Sequence, residues 1–285
     1  MNCFQVLRRF SACGVELGSE LSLVALMAEA PDSLRRELWN HLDESFVVFL
    51  PEQALSVDDL AAFVHLMGGA VCETPFLEAI AEHPGFVRVV RTPQESGLMP
   101  FGWGWHSDWS FLPNPPPFSL LYSVAVPATG GDTLWSNQVL AFERLSSGLR
   151  EVLRGLKGVH SARASYGIEG SYSEGGDKRA MQIMTGEQAH DETMHPAVLQ
   201  LPDGREALYL NESYTVGFGG WREREATGLL QFLFRWQALD DFSCRYTWAP
   251  NTIALWDNRP LIHRALDDCR GSYREFVRAT FSVIA

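Results

Sequence analysis

A chain of 285 residues that is 46% hydrophobic carries enough apolar content to bury one large core, so a single domain over residues 1–285 is expected. Its formal charge of −12, from 35 acidic and 23 basic side chains, sets the wrong sign of field for a nucleic-acid partner, and the basic residues are dispersed. No apolar run approaches the ~20 residues needed to cross a bilayer, and the residues around Arg8 and Arg9 lack the apolar stretch of a secretory leader, so neither a membrane nor secretion is expected.

In chain order, residues 19–42 place Leu21, Leu23, Leu26, Leu34, Leu38 and Leu42 at helical intervals. This predicts one or two amphipathic helices, with Pro31 as a stop or restart. Residues 46–50 predict a buried strand, and 57–67 a further helix closed by Gly68 and Gly69. From residue 101 the apolar period shifts toward two. Runs at 118–126, 133–135, 206–210, 244–248, 252–256 and 274–284 are rich in β-branched and aromatic residues and predict strands. They are separated by turn-forming stretches such as 127–131 and 202–204. Helices are expected at 139–156 and 223–239. The pattern predicts an α+β, mainly β fold, with a jelly-roll (double-stranded β-helix, cupin-like) core and flanking helices. Five cysteines, Cys3, Cys13, Cys72, Cys244 and Cys269, have no Cys-x-x-Cys spacing, which argues against a disulfide framework and fits a reducing cytoplasm.

Three groups of residues carry candidate chemistry. The first is His106-Ser107-Asp108. In an extended segment residues two apart share a face, which would turn His106 and Asp108 inward beside Gly102 and Gly104, and Ser107, Trp103, Trp105 and Trp109 outward. Alone, the tripeptide more often marks a hydrogen-bonded pair in a surface loop. Joined by His263, which follows the apolar run 252–256, it would supply two imidazoles and a carboxylate, the set that holds Fe(II) on one face and leaves other positions open. His160 and His195, at expected strand starts, are weaker candidates for the third ligand, and spacing does not choose among them. The second group is Arg274, Phe276, Arg278 and Thr280, which share one face if 274–280 is a strand. Two arginines facing an apolar interior would each need an anion; an edge strand with solvated arginines is an equal reading. The third is Gly130-Gly131-Asp132-Thr133, either an ordinary hairpin or a tight turn offering the Thr133 hydroxyl to a ligand.

In sequence order, Trp105-His106-Ser107-Asp108, Gly130-Gly131-Asp132-Thr133-Leu134-Trp135, Asn211-Glu212, Trp256-Asp257-Asn258-Arg259, His263 and the two arginines resemble the taurine/2,4-dichlorophenoxyacetate family of Fe(II)- and 2-oxoglutarate-dependent dioxygenases. The resemblance covers nearly the whole chain. It implies that His106, Asp108 and His263 bind the iron, that Thr133 and Arg274 hold the distal carboxylate of 2-oxoglutarate, and that Arg278 faces the substrate's anionic group. Trp109 falls where the family's substrate pocket is lined; Asn211 lies in a segment near the site, with no role assigned. The implied reaction consumes O2 and hydroxylates a small organic anion, or cleaves it oxidatively after hydroxylation, while 2-oxoglutarate is decarboxylated to succinate and CO2. Relatives commonly associate, so a homo-oligomer is a possible state.

The taurine-specific contacts are not reproduced: residues 71–78 contain no histidine, and 101–105 is Phe-Gly-Trp-Gly-Trp where taurine enzymes carry a polar contact. A substrate other than taurine, with a bulkier carboxylate preferred, is expected. Trp103, Trp105, Trp109 and Phe111 could line its pocket, or serve equally in surface or interface packing. A zinc-dependent hydrolase could use the same three ligands, but gives Thr133, Arg274 and Arg278 no shared purpose. A non-catalytic jelly-roll binding protein is the remaining alternative.

Overall fold

A computed structural model describes residues 2–283, the side chain of Asp177 excepted. In chain order the strands are β1 (Gln5–Arg9), β2 (Val15–Gly18), β3 (Val47–Leu50), β4 (Gly69–Val71), β5 (Phe86–Arg91), β6 (Phe118–Ala125), β7 (Thr133–Asn137), β8 (Lys157–Ser161), β9 (Glu192–Pro196), β10 (Val198–Gln200), β11 (Glu206–Leu208), β12 (Thr215–Phe218), β13 (Ser243–Tyr246), β14 (Ile253–Asp257), β15 (Leu261–Ala265) and β16 (Arg274–Val283). The helices are α1 (Leu23–Glu29), α2 (Pro31–Ser45), α3 (Val57–Leu66), α4 (Gln138–Glu143), α5 (Ser147–Arg154), α6 (Arg163–Tyr166) and α7 (Glu223–Gln237). The architecture is mixed and mainly sheet.

The large sheet runs β1-β2-β3-β14-β6-β16-β4, with β5 also paired to β16, and a three-stranded antiparallel sheet runs β13-β7-β15. Strict alternation sends the two faces of the central strands into different cores. Val48, Leu50, Ile253, Leu255, Val277 and Ala279 face outward and pack with Leu34, Leu38 and Phe63 of the helices. Val47, Phe49, Ala254, Trp256 and Phe276 face inward and pack with Trp135, Cys244 and Leu261 of the smaller sheet. Both faces of β14 and β3 are therefore fully buried, and the space between the two sheets is where polar inward-facing side chains can be gathered away from water.

The helix expectations hold with refinements. Pro31 opens α2, where its missing N–H costs nothing. The stretch 139–156 is two helices rather than one, because the Ser146 hydroxyl accepts the Leu149 N–H and starts α5 afresh. The expected strand at 46–50 is β3, but the strands before residue 101 also include β1, β2, β4 and β5, which go unpredicted. β5 reads Phe-Val-Arg-Val-Val-Arg, without apolar–polar alternation, yet pairs with β16 over six residues, Arg274↔Arg91 to Ala279↔Phe86. β15 also goes unpredicted, since four of its five residues are buried and leave no polar alternation to read.

Candidate active site

Two backbone hydrogen bonds join the motif to its distant partner: His106 N–H donates to His263 O at 3.0 Å, and His263 N–H to His106 O at 2.8 Å. This bridge brings the imidazole centroids to 4.2 Å. The smaller sheet fixes the other end of it, because His263 of β15 is paired with Trp135 of β7. Residues 102–108 are not the extended strand that alternation suggested: only His106 makes a bridge, and the chain turns through Asp108 and Trp109. The consequence is that Ser107 does not point out to solvent; its hydroxyl donates to Asn258 O at 2.6 Å, and Trp105 and Trp109 are buried.

Asp108 is held on both oxygens. Ser119 of β6 donates to Oδ2, and Arg278 of β16 forms an ion pair with Oδ1, its Nη2 2.7 Å away. The Nε2 atoms of His106 and His263 lie 3.5 and 3.7 Å from the same Oδ1. All three side chains are buried, and one ligand atom from each falls within 4.8 Å of the others; among the described residues no other group of His, Cys, Asp or Glu converges in this way. Burial alone would raise the Asp108 carboxyl, but the Arg278 guanidinium and then the two imidazoles outweigh it and keep it well below the usual carboxylate range. Burial, and next the His106 ring, pushes His263 well below its ordinary value. A carboxylate and neutral imidazoles are the protonation states in which these groups donate lone pairs to a metal. His106 Nδ1 lies 2.8 Å from Gly104 O, and since a carbonyl only accepts, that nitrogen carries the proton and Nε2 is left free to ligate.

His106 and His263 open onto a cavity of about 450 Å³, its mouth included, that is also lined by Thr133, Arg274, Arg278, Phe101 and Trp256. Thr133 and both arginines are buried, and the predicted face of β16 is observed. Trp248 Nε1–H donates to Thr133 Oγ1 at 3.0 Å, which occupies an acceptor position and leaves the hydroxyl proton for an anion. Arg274 Nε and Arg278 Nη1 are buried without a partner among the described residues. Burial lowers Arg274 to about 10, still a cation at neutral pH. The solvated-edge reading of these arginines is therefore set aside: two buried guanidiniums with spare donors are suited to organic acids. The Gly-Gly turn before Thr133 has a reason too. Gly130 sits at φ +74°, and a Cβ there would lie 2.6 Å from Asp268 O.

Residues 8–280 match the family described as "Taurine catabolism dioxygenase TauD, TfdA family". The chain belongs to this family. Among relatives of this TauD/TfdA chain, an "Alpha-ketoglutarate-dependent sulfonate dioxygenase" of Saccharomyces cerevisiae is 30% identical over 210 residues, covering 72% of this chain and 47% of that protein. An "Alpha-ketoglutarate-dependent dioxygenase cnsM" of Penicillium expansum is 38% identical over 181 residues, covering 61% and 48%. The chain thus spans about half the length of both curated relatives. A crystal structure of a taurine dioxygenase from Burkholderia xenovorans superimposes with a TM-score of 0.76 at 28% identity, over 98% of this chain and 89% of that one.

The TauD/TfdA chain also uses residues that sequence reasoning passed over. Ser119 and Asn258 form a relay: Asn258 Nδ2–H donates to Ser119 Oγ at 2.8 Å, and Ser119 passes its proton donor to Asp108. Trp256 Nε1–H in turn donates to Asn258 Oδ1 at 2.8 Å, so two positions of the Trp-Asp-Asn-Arg segment act on that carboxylate through Ser119. Asn211, left without a role, donates to Ser110 Oγ at 2.9 Å and accepts the Tyr214 N–H, tying the turn after Asp108 to the aromatic wall. His160 is not near the ligand set; it is buried against Ser110 with its ring neutral, and His195 bonds Leu112 O. Trp109 does not face away from the site: the Arg278 guanidinium lies 4.8 Å from its ring centroid, so its part is to back that arginine. Trp103, with Gly102 and Gly104, lines a second pocket beyond His106, whereas Trp105 is buried.

Proposed function

We propose that this TauD/TfdA protein is an Fe(II)- and 2-oxoglutarate-dependent dioxygenase that hydroxylates a small organic anion, or cleaves it after hydroxylation. The observation that carries the reading is the opening of His106 and His263 onto the same buried cavity as Thr133, Arg274 and Arg278. The donor set fits Fe(II): two imidazoles and one carboxylate whose ligand atoms lie within 4.8 Å of one another, beside a cavity that both imidazoles line. When bound, Fe(II), 2-oxoglutarate and O2 supply the oxidising chemistry, with succinate and CO2 as coproducts.

The chain's own residues supply positioning. His106 and His263 offer Nε2, while Ser119 and Asn258 orient Asp108 so that Oδ1 faces the imidazoles. Thr133 and Arg274 bind the far carboxylate of 2-oxoglutarate through a hydroxyl proton and a planar guanidinium. Arg278, steadied by Trp109, faces the substrate's anionic group with its spare Nη1 donors. Phe101, Leu121, Trp256 and Phe276 exclude water from the reacting centre.

Names of relatives favour sulfonate-like anions. The second pocket beyond His106, walled by Tyr166, Tyr172 and Tyr214 and about 590 Å³ with its open mouth included, supports a substrate that extends further than taurine. The sandwich of the large and small sheets supports a jelly-roll core, the inward core they share supports a single domain, and five free cysteines support a reducing, cytoplasmic setting.

Anaerobic loading with Fe(II) and 2-oxoglutarate, followed by O2 and a panel of sulfonates, sulfate esters and bulkier carboxylates, tests the reading. The expected result is Fe(II)-dependent 2-oxoglutarate binding and substrate-stimulated succinate release. Absence of both overturns it, and zinc-supported hydrolysis in its place would assign the ligands to a hydrolase.

A further inference from the structure

Thr133 and Arg274 reach the cavity from different strands, and the two stretches that lead into those strands are fastened together outside it. The Gly131 N–H donates to Asp268 Oδ1 at 2.6 Å, and the Leu266 N–H donates to Asp132 O at 2.9 Å. Arg245 of β13 closes the joint: its Nε donates to Asp132 Oδ2, and its Nη2 to Asp268 Oδ2 at 3.1 Å. Thr247 Oγ1 brings a second donor to Asp132 Oδ2 at 2.9 Å. Asp132 is buried, whereas Arg245 is exposed and lines no part of the cavity.

A buried carboxylate one residue from Thr133 is a poor neighbour for an organic acid, since like charges repel strongly where water is excluded. Oδ1 of Asp132 is buried without a partner among the described residues, and so offers an acceptor position to any guanidinium within reach. Arg274 is the guanidinium at hand. Burial depresses it first of all, and Asp268 and Asp132 are among the groups near enough to oppose that; its Nε has no partner among the described residues. Left alone, the two carboxylates would repel an incoming acid and draw Arg274 onto themselves. We propose that Arg245 is a positioning residue for the cosubstrate: from outside the cavity it cancels the charge of Asp132 and Asp268 and so keeps Arg274 free to bind an acid. An ion pair exposed at both ends is worth little, but here the Asp132 end is buried and the guanidinium fork is shared between two carboxylates. This role rests on the function proposed above, in which Thr133 and Arg274 hold the far carboxylate of 2-oxoglutarate.

Titration of 2-oxoglutarate into the Fe(II)-loaded, oxygen-free full chain tests it. Arg245→Gln is expected to weaken the Kd for 2-oxoglutarate about fivefold or more, with the affinity for Fe(II) itself within about twofold of native. Arg245→Lys, which restores the charge without the fork, should recover part of the loss. The double variant Arg245→Gln/Asp268→Asn separates charge from mere support of the fold. Removing one of the stranded carboxylates should bring the Kd back toward the native value, whereas a structural role would leave the double variant as weak as Arg245→Gln or weaker. Native affinity in Arg245→Gln, or a double variant with no recovery, overturns the role of Arg245 and leaves the proposed function standing. Failure of the native protein to bind 2-oxoglutarate strikes the proposed function, and the role of Arg245 falls with it.

Discussion

Arg278 Nη2 lies 2.7 Å from Oδ1 of Asp108 in an ion pair, and both side chains are at least nine-tenths buried. The contact joins the residue expected to face substrate to the carboxylate of the ligand set. It is also the strongest single reason that carboxylate stays ionised. Removing the guanidinium would strand a buried charge, so Arg278→Met is expected to destabilise the metal-free protein by about 3–5 kcal/mol in urea unfolding. A loss below ~1 kcal/mol would mean that Ser119 and the imidazoles suffice to hold Asp108.

Ser119 reaches the metal site only through Asp108. Ser119→Ala, which deletes one donor and almost no volume, is expected to weaken Fe(II) binding about 10- to 100-fold while leaving the far-ultraviolet circular dichroism unchanged. Competition against a metallochromic chelator reads the effect. An affinity within twofold of the native value would remove Ser119 and Asn258 from the site's support.

Arg274 presents a planar fork that a lysine cannot copy. Arg274→Lys is therefore expected to raise the KM for 2-oxoglutarate about tenfold or more, the equivalent of losing one charge-assisted hydrogen bond, with a smaller change in kcat. Thr133→Val should shift the same constant in the same direction by less. A fall in kcat at constant KM for either variant would place it at the reacting centre instead.

His160 gives the protein a pH-dependent term. Burial first, and then the neighbouring His195, lowers it to about 3, against 6.5 in the unfolded chain. Above pH 6.5 both states leave the ring neutral. As pH falls from 6.5 toward 3 the unfolded chain takes up a proton that the folded chain refuses, and stability is lost. Between pH 7 and pH 5 the loss from this residue is expected to be about 2 kcal/mol. Urea unfolding of the metal-free chain checks it: His160→Gln should show a correspondingly shallower fall, and an unchanged slope would mean that His160 is accessible to protons in the folded state.

Much of the chemistry was legible because its spacing is short. The face shared by Arg274, Phe276 and Arg278 followed from two-residue alternation, and all three line the same cavity. Pro31 marked the restart of α2 for an equally local reason. The same alternation failed at residues 102–108, where Trp109 adopts φ +51° and the chain turns: a left-handed residue that only surrounding packing can hold. β15 escaped notice because a strand buried on nearly every side has no polar face, so the strand carrying His263 looked like the tail of its neighbour.

The sequence by itself determined which side chains were available: two histidines and an aspartate that can ligate, a threonine and two arginines that can grip acids, and the order in which the family places them. Tertiary structure decided which histidine joins the motif, through the bridge between His106 and His263, and decided that Ser119, Asn258 and Arg278 meet on Asp108. Periodicity reports only which way a side chain faces along its own element. Convergence of groups from β6, β15, β16 and a turn depends on sheet register and on the cost of burying unpaired charge, and neither is written in any local stretch of the chain.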